Sequence, residues 1–90
     1  MKLLVTCRPR HGVDPARDIV PRAQEEMAAL RELRDGGPLL EAYSPGGPGA
    51  VLIFGGQRDA VERALQMLPL LRDGIIGAEI TELHPFAALD

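Results

Sequence analysis

Residues 60–85, AVERALQMLPLLRDGIIGAEITELHP, switch from a helical period to a strand period across one proline and one glycine, and that switch constrains the chain more than any other stretch. Val61, Ala64, Leu65 and Leu68 recur at i, i+3, i+4 and i+7, one face of a helix, while Glu62, Arg63 and Gln66 point away from it. Pro69 lacks an amide hydrogen and disfavours helix in the residue before it, so the helix is expected to end near Leu68 or within the next turn. The chain then turns around Gly74. From Ile75 to Leu83 it alternates, with Ala78, Ile80 and Glu82 on one side and Gly77, Glu79, Thr81 and Leu83 on the other, as a strand does.

The upstream half repeats this order. Lys2 to Arg8 reads as a strand with Leu3, Val5 and Cys7 on one face and Leu4, Thr6 and Arg8 on the other. Asp14 is a good N-cap with Pro15 at the first helical position, and Ile19, Ala23, Met27, Leu30 and Leu33 keep a helical spacing as far as Gly36 and Gly37. Pro21 interrupts that pattern, so one turn over 15–19 and a main helix from about Pro21 are expected. Leu39 to Ser44 and Ala50 to Phe54 are two short strands joined by the loop Pro45-Gly46-Gly47-Pro48-Gly49. The order β-α-β-β-α-β predicts an α+β, ferredoxin-like fold: a four-stranded antiparallel sheet with two helices on one face.

Ninety residues fit a single domain, 1–90, which buries about two-thirds of its unfolded surface. Alternation places Leu3, Val5, Leu40, Ala42, Val51, Ile53, Ala78 and Ile80 under the helices and Leu4, Leu39, Leu52 and Phe54 on the opposite, bare face. That much apolar area calls for a partner, and a homodimer packed sheet to sheet supplies one.

Composition narrows the function. The formal net charge is −3 and there is no Trp, which argues against a nucleic-acid surface, although residues 1–22 are locally positive. No stretch approaches the roughly twenty apolar residues of a membrane span and no secretory h-region is evident, so a cytoplasmic location is expected. The single Cys7 cannot form an intrachain disulfide or a zinc site and reads as core; no metal is expected. Nine arginines against one lysine reflect a GC-rich bacterial coding bias.

The segment from Gly36 through Pro85 resembles the muconolactone isomerase family. The likeness rests on the strand-hairpin-strand, the helix ending in Leu68-Pro69-Leu70, the strand pattern Glu79-Ile80-Thr81-Glu82-Leu83 and the following His84-Pro85. It implies a dimeric α/β barrel, assembled further into larger rings in some members, and cofactor-independent chemistry: a double-bond shift in a carboxylated lactone, or loss of halide from a similar one. Other barrels of this architecture are polyketide cyclases or monooxygenases. The chain departs from the isomerases in having Leu4 and Thr6 where they carry a histidine and an arginine, which points to a different substrate on the same fold.

The predicted barrel interior receives Thr6, Arg8, Glu41, Tyr43, Glu79 and Thr81. Proton transfer next to a carbonyl needs a base and a group to hold the enolate oxygen. Glu79 or Glu41, desolvated in the cavity, suits the base; Arg8 suits a substrate carboxylate or the developing charge; Tyr43 can donate a hydrogen bond; His11, just past the first strand, is an alternative base. An Arg8–Glu79 ion pair is the bland rival. Glu25, Glu26, Arg31, Glu32 and Arg34 are expected to form a solvated helix face, and Phe86 and Leu89 to pack the tail on its own or a neighbouring subunit. The expected partners are a small-molecule substrate, an anionic one included, and a second copy of the chain, with no cofactor. The leading reading is an isomerase, lyase or cyclase. A cofactor-free monooxygenase of phenolic polyketides and a non-catalytic ligand-binding or assembly module stay open beside it.

Overall fold

The first strand, β1 (Lys2–Pro9), lies between two others: it pairs antiparallel with β3 (Ala50–Gly55) on one side and with β4 (Ile76–Leu83) on the other, while β2 (Leu39–Tyr43) edges β3. The sheet order β2-β3-β1-β4 is that of the ferredoxin-like α+β fold. Helices α1 (Ala23–Asp35), α2 (Arg58–Leu65) and the single turn α3 (Pro69–Arg72) cover one face. The computed structural model describes residues 1–89.

The segment before α1 starts as the sequence predicts and then departs from it. The Asp14 side chain accepts from the Ala16 amide at 3.1 Å, and the Asp18 carboxylate accepts in return from the Asp14 amide at 2.9 Å. The turn over Pro15–Ile19 is of the wide π type, Val20–Arg22 is a 3-10 turn around Pro21, and the main helix begins only at Ala23. Pro21 sets this boundary, because it cannot donate to an α-helical ladder. Downstream, α2 ends at Leu65 and Pro69 opens α3, so the proline both stops one helix and starts the next.

The core lies between sheet and helices. Leu3 and Val5 of β1, Leu52 and Phe54 of β3, Val61 of α2 and Leu68 after it are almost wholly buried, each such side chain stabilising the fold by roughly 1.5–3 kcal/mol. This corrects the expected facing of β3 and β2. Register places Leu52 across from Val5 and Phe54 across from Leu3, so Leu52, Phe54 and Leu39 face the helices, while Val51 and Ile53 face the open side. An irregularity between Leu39 and Glu41 takes Leu40 out of the alternation, and Leu40 is half exposed against Gly55. Leu3, Val5, Cys7 and Ala42 lie on the helix side as predicted.

Gly49 lets the hairpin enter β3 beside β1. Its φ is +117°, and a Cβ there would collide with the Cys7 carbonyl oxygen. No helix among the described residues is long and apolar enough to cross a membrane.

Candidate functional site

The register brings Arg8, Thr6, Glu79, Glu41 and Tyr43 to the open face of the sheet. Glu79 lies directly across from Thr6, and Arg8 across from Gly77. Glu41 and Tyr43, two residues apart on the edge strand, bond to each other, the Tyr43 hydroxyl donating to Glu41 Oε1. That bond and the carboxylate's charge hold the phenol above its ordinary pKa, so its hydrogen is already engaged within the strand. Arg8 and Glu79 do not pair with each other among the described residues. Both line a shallow depression over Gly77, which also takes Arg10, whose guanidinium carbon lies 3.8 Å from where a Gly77 side chain would begin. His11 sits apart, exposed in the turn beyond β1.

A second place was not foreseen. Between α1 and the sheet lies a cavity of about 350 Å³ whose walls include Cys7, Leu30, Leu52 and Leu70, and Ser44 and Glu26 also line it. Glu26 was expected on a solvated face. Instead Glu26, Ala29, Leu30 and Leu33 form the inward stripe of α1: Leu33 is buried, Ala29 and Leu30 pack against the core, and Glu26 is half buried, whereas Met27, which also borders the cavity, is half exposed. The spacing 26, 29, 30, 33 was available in the sequence as an alternative helical phase with one carboxylate among apolar residues.

Glu26 Oε1 accepts a hydrogen bond from the Leu70 amide at 3.0 Å. Burial raises the carboxyl pKa above its ordinary value, while the Leu70 bond and the charge of Arg72 pull it back. Arg72 is itself engaged with Asp73 at 3.0 Å. The Cys7 thiol in the same cavity is pushed up to about 11, by burial first and by the Glu26 charge second, so it is not a thiolate nucleophile near neutral pH. Ser44 Oγ accepts from the Gly46 amide at 3.2 Å and keeps its own hydrogen to donate. Among the described residues no arginine, lysine or histidine lines the cavity. Among the described residues no group of three or more His, Cys, Asp or Glu side chains is placed to hold a metal ion.

Two dissimilar places therefore hold groups that suit small-molecule chemistry: an apolar cavity with one desolvated carboxylate, and an open sheet face with two guanidiniums and exposed carboxylates. The chain is similar in structure to the 5-chloro-2-hydroxyhydroquinone dehydrochlorinase of Burkholderia phenoliruptrix AC1100, solved with 2,5-dihydroxybenzoquinone, with a TM-score of 0.73 over 98% of each chain at 15% identity. That likeness establishes the ferredoxin-like fold. No family model matches the sequence. No curated protein matches it either.

Proposed function

We propose that the protein is a cofactor-independent isomerase, lyase or cyclase that moves a proton on a small oxygenated metabolite, lactone or polyketide-like. The observation that carries this reading is the half-buried Glu26 carboxylate, held by the Leu70 amide in a cavity that is otherwise almost wholly apolar. A carboxyl with a raised pKa is a stronger base once ionised, and an apolar wall keeps water from competing for the proton. The Leu70 bond fixes the carboxylate through Oε1 and leaves the second oxygen to take a proton next to a substrate carbonyl. The Ser44 hydroxyl at the mouth donates to the oxygen on which negative charge develops.

The working unit in this reading is a homodimer closed by two open sheet faces. Val51 and Ile53 give the central strand β3 an apolar second face, as expected of a sheet covered on both sides. Phe86 and Leu89, strongly exposed on the single chain, are left for a neighbouring subunit.

The sheet face supports a second reading because Arg8 and Arg10 flank Gly77 with no ion pair to Glu79. There, enclosed by the dimer, Glu79 or Glu41 is the base, with His11 as a further candidate, Arg8 binds an anionic substrate and Tyr43 assists. Proton NMR in deuterated water, with a panel of butenolides and enolisable ketones, tests the enzyme class: deuterium uptake is expected. Oxygen consumption with phenolic polyketides in place of uptake would make the protein a monooxygenase, and inertness toward both would make it a binding module.

A further inference from the structure

We infer that the helix-side cavity selects uncharged ligands bearing a hydrogen-bond donor, such as a phenol or an enolised ketone, and turns carboxylates away. The inference rests on the reading that places the substrate in this cavity, and it sets the substrate class.

The argument is a charge inventory. Among the described residues Glu26 is the one carboxyl of the wall, and the Cys7 thiol and the Tyr43 phenol, which also line it, are both held above their ordinary values and stay protonated. An ionised Glu26 accepts hydrogen bonds and cannot donate, and its Oε1 already accepts one from Leu70. A ligand that presents an O–H to the second oxygen completes the carboxylate's bonding. A ligand that presents a carboxylate sets two like charges together in an apolar space, with no cation in the wall to offset them. Arg72, whose charge acts on Glu26, is not part of the wall and is bonded to Asp73. Two guanidiniums suited to an anion, Arg8 and Arg10, line the depression on the other side of the sheet. The volume of about 350 Å³ admits a ligand of one or two rings.

The test uses a matched pair, 2-naphthol and 2-naphthoate, titrated into the isotope-labelled full chain at about pH 8, well above ordinary carboxyl values. The amide signals of Cys7, Leu30, Ser44 and Leu70 report the cavity, and those of Arg8, Arg10 and Gly77 report the sheet face. The naphthol is expected to move the cavity signals and to bind there at least about tenfold more tightly than the naphthoate. Glu26→Gln, which keeps an acceptor oxygen and removes the charge, is expected to narrow that ratio by weakening naphthol and admitting naphthoate; its amide spectrum shows directly that it folds. Naphthoate moving only the sheet-face signals agrees with the inference. Equal affinity of the two probes in the cavity, or a ratio unchanged by Glu26→Gln, would overturn the selectivity while leaving the cavity as the site. Failure of both probes to move any cavity signal would overturn the inference together with the cavity assignment.

Discussion

The Glu26 carboxylate on α1 caps the amide of Leu70, 44 residues away, at 3.0 Å. Pro69 opens α3 without an amide hydrogen and Leu68 before it offers no capping side chain, so Glu26 supplies the acceptor that the local sequence lacks. One carboxylate thus ties the long helix to the short one and also gives the cavity its polar group. Glu26→Ala strands a part-buried amide and is expected to cost about 1–3 kcal/mol in urea unfolding, with Glu26→Gln costing less because it keeps an acceptor.

The raised pKa of Glu26 fixes the sign of its pH dependence. The folded chain holds this proton more tightly than the unfolded one, so the contribution to stability is fully present below the ordinary carboxyl value and is lost as pH rises through the raised one. Asp18, held down to about 2 by its bond to Arg17, and Asp73, lowered by Arg72, act in the opposite sense and lose their contribution toward acid. Urea unfolding of wild type and Glu26→Gln between about pH 4 and pH 8 separates the terms: the difference shifts in favour of the variant as pH rises.

Cys7 reports on the same cavity. With its thiol at about 11, iodoacetamide labelling of the native protein is expected to be far slower than of the urea-unfolded chain. Removing the Glu26 charge in Glu26→Gln should speed labelling modestly, because burial is the larger cause and remains. Equal rates for the folded and unfolded chains would contradict the burial on which the cavity depends.

Gly49 is expected to tolerate no side chain. Gly49→Ala places a Cβ at φ +117° and against the Cys7 carbonyl oxygen, which should cost more than about 1 kcal/mol in urea unfolding. Gly47→Ala in the same loop has open space around it and serves as the control with little effect.

The dimer reading is tested on the open face. Ile53→Arg adds a charge to the apolar second face of the central strand, where two sheets would meet, and is expected to yield a folded monomer in sedimentation equilibrium, against the dimer expected of the wild type. A wild-type chain that sediments as a monomer at high concentration would remove the enclosure that the Glu79 and Arg8 reading requires.

The order of strands and helices was legible because period and punctuation agree: Asp14 with Pro15, Pro69 and Gly74 each mark a change of period. Strand facing was legible where apolar and polar residues alternate, as in Thr6 and Arg8 against Val5 and Cys7. It was not legible in Val51-Leu52-Ile53-Phe54, where both faces are apolar and alternation carries no phase; only the pairing with β1 assigns it. The irregularity at Leu40 hid β2 in the same way. On α1 the stripe through Met27 and the stripe through Glu26 share Leu30 and Leu33. The stripe through Met27 is the more apolar, yet the packing turns the one with the carboxylate inward. Of the residues read as chemical, the grouping of Arg8 with Glu79 followed from alternation, whereas Arg10 required the glycine at position 77 to be seen beneath it.

The most direct test of the central claim is deuterium incorporation into an enolisable substrate by the wild type, Glu26→Gln and Glu79→Gln, with folding of each variant verified by its amide spectrum. The account predicts that Glu26→Gln loses at least about a hundredfold in exchange rate, as expected for removal of a general base, while Glu79→Gln stays within a few-fold of the wild type. Exchange that survives in Glu26→Gln and disappears in Glu79→Gln would contradict it and move the chemistry to the sheet face.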